Sequence, residues 1–94
     1  MNEHDQEIRR LVSANRILAQ ENVVDAFGHV SIRDPRNTDH YILSRSRSPE
    51  LVEFSDLMEF TLDGEAIDQK DRIVYGERMI HGAIYESRPE INAV

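Results

Sequence analysis

The chain has 94 residues, 39% of them hydrophobic and 31% charged, a balance typical of one small globular domain rather than a disordered chain. Eleven basic and eighteen acidic residues give a net charge of -7, which argues against nucleic-acid binding because that needs a basic face. The absence of cysteine excludes disulfides and thiolate metal sites. No apolar run is long enough to span a bilayer and no secretory signal is visible, so we expect a cytoplasmic protein.

The first half of the chain predicts a helix followed by a hairpin. Apolar residues at helical spacing indicate an amphipathic helix over residues 3–21. The alternating segment HVSIR and the β-rich segment YILS flank the turn cluster DPRNTDH. This arrangement predicts a hairpin of residues 29–33 against residues 40–44.

The second half predicts a second hairpin and a second helix. Residues 48–50 and 55–56 each offer a cap for a short helical turn, and MEFTLDGEAID predicts a strand, an Asp63-Gly64 turn and a short return strand. Helical spacing over residues 76–87 predicts the last helix, which Pro89 prevents from continuing. INAV then begins a buried strand. This order indicates an α/β or α+β layer arrangement.

An acidic residue and a histidine at helical spacing are the first candidates for chemistry. Glu77 lies near the start of the last helix, where the helix dipole stabilises a carboxylate. Because acidic residues are common there, its position alone indicates an ordinary solvated residue. His81 lies one turn later on the same face, where the two side chains can meet. The chain has four histidines: His4, His29, His40 and His81. They form no metal-binding spacing, so we expect no metal site built from this chain alone and interpret His40 as a turn residue.

Two short segments stand where predicted strands meet their loops, which is where ligands often bind. These candidate positions are Gly28 and His29, and Ser44, Arg45 and Ser46. Glycine lets a backbone N–H approach an anion closely, and serine and arginine supply donors suited to a carboxylate or a phosphate. The alternative is structural, with Gly28 at a bulge and Arg45 as a solvated residue at a sheet edge.

Three segments together cover nearly the whole chain: ANRILAQENVVDAFGHVSIR, YILSRS with FSDLMEFTLDG, and ERMIHGAIYESRPEINAV. They resemble the class II aldolase/adducin family, whose pattern E-x-x-x-H-x-x-x-Y-x-x-R-P-x-x-x-A-V is the most specific of the three. The residues that meet it are Glu77, His81, Tyr85, Arg88, Pro89, Ala93 and Val94. The resemblance implies the N-terminal part of a three-layer αβα domain with a mainly antiparallel central sheet.

The family pattern continues with V-H-x-H, whose two histidines bind a divalent metal, usually zinc, with a third histidine much later. The resemblance therefore implies that residues 1–94 are an incomplete domain that ends before the first metal ligands, with no cofactor in this segment. It also implies that Glu77 is the catalytic acid/base, which moves a proton while the metal polarises the substrate oxygens and stabilises an enediolate-like anion.

The implied substrate-binding positions are Gly28, His29, Ser44, Arg45 and Ser46. In sugar-phosphate members the corresponding G-N pair and T-P-[ST]-G turn, with a serine pair before the acid, cradle a phosphate. Here the serine pair is replaced by Tyr75 and Gly76, and an arginine has entered the turn. Because arginine suits a carboxylate at least as well as a phosphate, the variant resembles the branch that includes decarboxylases of dihydroxylated aromatic acids.

For the full-length protein, the resemblance implies a metal-dependent carbon–carbon lyase, a decarboxylase or an aldolase, acting on a hydroxy or dihydroxy-aromatic carboxylic acid. The alternatives are a sugar-phosphate aldolase or epimerase, and a non-catalytic adducin-like interaction module. We expect the 94-residue chain itself to be inactive. We also expect it to self-associate, because an uncovered sheet edge and helix face favour pairing and family members are typically tetramers. Neither nucleic acid nor membrane is an expected partner.

Overall fold

The computed structural model describes residues 3–22 and 28–94. Its helices and strands are, in chain order, α1 (Glu3–Gln20), β1 (Ser31–Arg33), β2 (His40–Ser44), β3 (Leu57–Thr61) and α2 (Arg78–Ser87). Two short 3-10 turns, Pro49–Leu51 and Phe54–Asp56, connect β2 to β3. The predicted helices, the first hairpin and the two short helical turns are confirmed. Ser48 is the N-cap residue of the first turn but makes no side-chain capping bond, and the second turn is capped by Glu53 rather than by residues 55–56. The segment VVDAF, residues 23–27, is part of the sequence resemblance and lies outside the described residues.

The sheet is antiparallel, in the order β1-β2-β3, and has a helix on each face. On one face Tyr41, Leu43 and Phe60 pack with Tyr85 of α2. On the other face Ile42 packs with residues of α1. Because side chains alternate along a strand, β2 is buried on both sides and the chain builds an α-β-α layering.

Two predicted strands form fewer sheet pairings than a full strand would. The return strand after the Asp63-Gly64 turn is a single bridge between Phe60 and Ala66, and Gly64 makes the turn with a φ of 87°. At the end of the chain, residues 92–94 run antiparallel beside β1, with Ser31 N–H donating to Val94 O at 2.7 Å. Asn92 and Ala93 are exposed, so the predicted buried strand is an edge segment in this structure.

Arg33 ties the C-terminal end of α2 to the sheet. Its guanidinium donates to the carbonyls of Tyr85 at 2.8 Å and Ile91 at 3.0 Å and lies 4.9 Å from the centre of the Tyr85 ring. These bonds satisfy a carbonyl of the last helical turn and place a cation at the negative end of the helix dipole. Arg33 therefore holds α2 against β1.

Gly82 sets how closely α2 approaches the turn after β3. A Cβ at this position would lie 2.0 Å from the carbonyl oxygen of Leu62, closer than any real contact allows. The helix therefore packs directly on backbone at this point.

In residues 3–22 and 28–94, no helix is long and apolar enough to cross a membrane.

Candidate active site

A continuous series of hydrogen bonds connects β1 to α2 on the α2 face of the sheet. His29 Nδ1 lies 2.6 Å from His81 Nε2, and His81 Nδ1 lies 2.6 Å from Ser31 Oγ. Ser31 Oγ in turn lies 2.7 Å from the hydroxyl of Tyr85. We call these four side chains, His29, His81, Ser31 and Tyr85, the relay.

The environment of His81 sets its protonation state. The residue is only 2% exposed, and its burial together with the neighbouring His29 lowers the pKa of His81 to about 4. His81 is therefore neutral near pH 7, with one ring nitrogen donating and the other accepting. Burial raises the pKa of Tyr85 to about 12, so its hydroxyl keeps its proton and remains a donor.

Either direction of donation fits these distances, because each histidine can carry its proton on either ring nitrogen and either hydroxyl can donate. In one arrangement that fits a neutral His81, Tyr85 donates to Ser31, Ser31 donates to His81 Nδ1, and His81 Nε2–H donates to His29 Nδ1. A neutral His29 would then carry its proton on Nε2, the ring atom that lies 3.6 Å from Glu77 Oε1.

Glu77 is the N-cap residue of α2, and its side chain is 59% exposed. It makes no side-chain capping bond, so it is not engaged in holding the helix end. The sequence predicted that Glu77 and His81 can meet on one helix face, and the structure shows a different arrangement. Both ring nitrogens of His81 bond to His29 and Ser31, and His29 is the histidine that faces Glu77.

The loop after β2 carries the other predicted binding residues, and most of its polar groups are bonded within the fold. Ser44 is buried, and its hydroxyl donates to the carbonyl of Arg45 at 2.8 Å. The backbone N–H groups of Arg45 and Ser46 donate to Asp56 O and Ile73 O, each at 2.7 Å. Ser46 and Arg47 are the exposed residues at the start of this loop, and Arg45 is half-buried.

The buried carboxylate of Asp56 holds this loop through hydrogen bonds. Burial would raise the pKa of its carboxyl group, but hydrogen bonds from Arg47 at 2.8 Å and from the backbone N–H of Glu53 at 2.9 Å, with the charge of Arg45, lower it overall. Asp56 is therefore an ionised, nearly fully buried partner of the loop. Arg47 is engaged with it, which leaves Arg45 as the arginine that acts on Asp56 by charge alone.

Tyr75 joins the two predicted binding segments. Its ring lies 4.7 Å from the ring of His29, and its hydroxyl donates to the carbonyl of Arg47 while accepting the Arg47 N–H at 3.2 Å. Gly28 is half-buried immediately before His29. Sequence reasoning treated Tyr75 only as the replacement of a serine and gave no role to Ser31. The signal that points to Tyr75 is its position two residues before Glu77.

The pKa of His81 predicts a pH dependence of stability. Because the folded state resists protonation of His81, the unfolded state binds more protons below pH 6.5, and the free energy of unfolding falls from about pH 6.5 down to about pH 4. The gap between these two values corresponds to on the order of 3 kcal/mol. Urea unfolding across this range is expected to show the loss, and His81→Gln is expected to flatten it. His4→Gln is the control, and an equally steep loss in His81→Gln contradicts the assignment.

Comparison with known proteins now adds to this geometry. The family profile described as Class II Aldolase and Adducin N-terminal domain matches residues 9–94. The chain belongs to this family. The decarboxylase tropJ of Talaromyces stipitatus is 37% identical over 89 residues, which cover 93% of this chain and 34% of that protein.

Solved structures of class II aldolases superimpose on nearly the whole chain. An L-fuculose 1-phosphate aldolase from Glaciozyma antarctica matches with a TM-score of 0.85 and 33% identity, covering 97% of this chain and 39% of that one. An aldolase II superfamily protein from Pseudomonas syringae matches with a TM-score of 0.82 and 26% identity, covering 99% and 39%. The chain thus spans little more than a third of the length of these relatives.

The described side chains around Glu77 offer too few ligands for a zinc site. In the part of the chain that the structure describes, Glu77 and His29 contribute one carboxylate and one imidazole, and the nitrogens of His81 are already bonded. Zinc needs at least three convergent protein ligands, so these residues do not by themselves make its site. Three such ligands do converge elsewhere, at Asp34, His40 and Glu59.

Proposed function

We propose that this chain supplies the acid/base and the carboxylate-binding residues of a metal-dependent carbon–carbon lyase, with a hydroxy or dihydroxy-aromatic carboxylic acid as its substrate. The observation that carries the proposal is the position of Glu77, exposed at the start of α2 and facing His29 at the end of the relay. In this proposal the metal is held by residues outside the chain, in the rest of the family domain, and the protein is a cytoplasmic homo-oligomer.

Glu77 suits the proton transfer that such a reaction requires. When a carbon–carboxylate bond breaks, carbon dioxide leaves without the bonding electrons, and the pair that stays on carbon must be protonated. An exposed carboxyl group can reach a substrate carbon, and a protonated Nε2 of His29, 3.6 Å away, would support the charge of its ionised form once the proton has gone. Aldol cleavage needs the same delivery of a proton to a carbanion.

Arg45 is the candidate for the substrate carboxylate. It is half-buried in the loop after β2, and its neighbour Arg47 is held by Asp56. The 37% identity with a decarboxylase supports an acid substrate. The 33% identity with an L-fuculose 1-phosphate aldolase favours the second candidate, a sugar-phosphate aldolase or epimerase, because arginine also binds phosphate.

The test compares the two substrate classes with the full-length gene product. We expect turnover of a dihydroxybenzoic acid, and we expect Arg45→Leu to raise its KM about 10- to 100-fold, the loss of one charge-assisted hydrogen bond, with little change in kcat. Arg10→Leu is the control, since its side chain is 74% exposed on α1.

Three outcomes of this test would change the proposal. Turnover of the sugar phosphate alone would replace the first candidate by the second. An unchanged KM would remove Arg45 from the binding site. A gene product that cleaves neither substrate class would leave the adducin-like interaction module as the function.

A further inference from the structure

A second cluster of ligating side chains lies on the other face of the sheet from the relay. Asp34 directly follows β1, His40 is the first residue of β2, and Glu59 is the central residue of β3. Glu59 pairs with Ile42 in the ladder, so it shares the α1 face with Ile42 and His40. One ligating atom from each of the three residues lies within 4.8 Å of the others.

Asp34 is the unusual member of this cluster. Its side chain is 1% exposed, and Oδ1 accepts the backbone N–H of Arg36 at 2.9 Å, a common turn contact. Its other oxygen, Oδ2, is buried without a hydrogen-bond partner among the described residues. A buried carboxylate oxygen that lacks a partner is strongly unfavourable, because it has lost its water and gained nothing in return. A cation that Oδ2 could ligate would remove that penalty.

The guanidinium of Arg36 does not remove it. Arg36 Nε lies 3.8 Å from Asp34 Oδ1, and Nη2 lies 3.8 Å from Glu59 Oε1. Both distances are longer than a hydrogen bond, and the arginine side chain is 60% exposed. Arg36 therefore screens the two carboxylates loosely from outside and is free to swing into water.

The chemistry of the ligands selects the class of cation. Two carboxylates and one imidazole suit zinc and similar divalent transition metals, whereas calcium and magnesium prefer oxygen ligands alone. His40 Nδ1 is hydrogen-bonded to Glu59 Oε2 in this structure, and a cation bound by both atoms would replace that hydrogen bond. Beside Glu59 lies a cavity of about 170 Å³ whose wall includes Arg36 and His4 but neither Asp34 nor His40.

We propose that Asp34, His40 and Glu59 bind one divalent transition-metal cation of the zinc class, at a site separate from Glu77. Binding takes the Nδ1 lone pair of neutral His40, so its ring proton resides on Nε2. The bound ion joins the hairpin turn to β3 and stabilises the folded chain more as the free ion concentration rises above its dissociation constant.

The experiment titrates the metal-free 94-residue chain with zinc chloride by calorimetry and follows thermal unfolding in parallel. We expect one zinc ion per chain and a higher Tm with zinc. Asp34→Asn and Glu59→Gln are each expected to weaken binding about tenfold or more, while Glu86→Gln, an exposed carboxylate on α2, leaves it unchanged. Magnesium chloride at the same concentrations is expected to leave the Tm unchanged.

Arg36→Gln separates a metal site from an ordinary ion-pair cluster. If the carboxylates bind zinc, removing the competing positive charge tightens binding several-fold. If Arg36 is their natural partner, the substitution only lowers stability and zinc binds no better. The proposal is overturned by that second result, by zinc binding that Asp34→Asn leaves intact, or by binding that disappears in His29→Gln instead.

Discussion

Replacing Glu77 by glutamine in the full-length protein is expected to lower kcat for lyase turnover about 10²- to 10⁴-fold, with a much smaller change in KM. The physical reason is that glutamine keeps the size and hydrogen-bonding reach of the side chain but has no proton to exchange with carbon. Steady-state kinetics on the substrate of the wild-type protein measure the effect.

The structure also allows this loss to be separated from unfolding. Glu77 is exposed and makes no capping bond, so the glutamine variant is expected to keep its free energy of unfolding within about 0.5 kcal/mol. Glu86→Gln removes an exposed carboxylate from the same helix and is expected to leave kcat unchanged. If Glu77→Gln retained wild-type kcat, Glu77 would be an ordinary residue at a helix start and the proposed role would be wrong.

Gly82→Ala is expected to lower the free energy of unfolding by about 3 kcal/mol or more. The new Cβ would lie 2.0 Å from the carbonyl oxygen of Leu62 and 2.9 Å from its carbonyl carbon, and neither atom belongs to a side chain that can turn away. The gain in helix propensity, about 1 kcal/mol, is too small to offset this contact.

Gly76→Ala is the matched control. A Cβ there meets nothing within 4 Å, so the same substitution is expected to be neutral or to stabilise the chain by up to about 1 kcal/mol. Urea unfolding of both variants gives the comparison. Equal stability of Gly82→Ala and the wild-type chain would show that α2 lies farther from the turn than described, and that the relay contacts are correspondingly loose.

The close packing at Gly82 matters to the site because α2 carries both helical members of the relay, His81 and Tyr85. Their contacts with Ser31 are 2.6 and 2.7 Å, so a shift of α2 away from the turn that lengthens them breaks these hydrogen bonds. We therefore regard Gly82 as a residue that positions the relay without touching it.

The local pattern of residues was sufficient for most of the secondary structure. Helical spacing, turn clusters and strand alternation depend on neighbours in the sequence, and these predicted α1, α2 and the β1–β2 hairpin. The same local reasoning overstated the return strand after Gly64 and the burial of residues 92–94. Whether an apolar run is buried depends on what packs against it, which neighbouring residues do not specify.

The candidate site was predictable only in part. Motif matching pointed to Glu77 and His29 separately, but helical spacing then paired Glu77 with His81, its neighbour in the sequence. The structure inserts His29 between them, 52 residues away from His81 in the chain. The cluster of Asp34, His40 and Glu59 was not predicted from the sequence. Histidine spacing gives no sign of it, because strand register brings its two carboxylates and its histidine together.

The sequence by itself determined the family, the order of the elements and the position of Glu77 at the start of α2, because each depends on residue types at short spacings. Only the tertiary structure decided that His29 faces Glu77, that Ser31 and Tyr85 complete the relay, and that Asp34 has a buried oxygen without a partner. These contacts join residues whose separation in the chain carries no periodic signal. They arise when the antiparallel register and the packing of α2 at Gly82 bring distant backbone together.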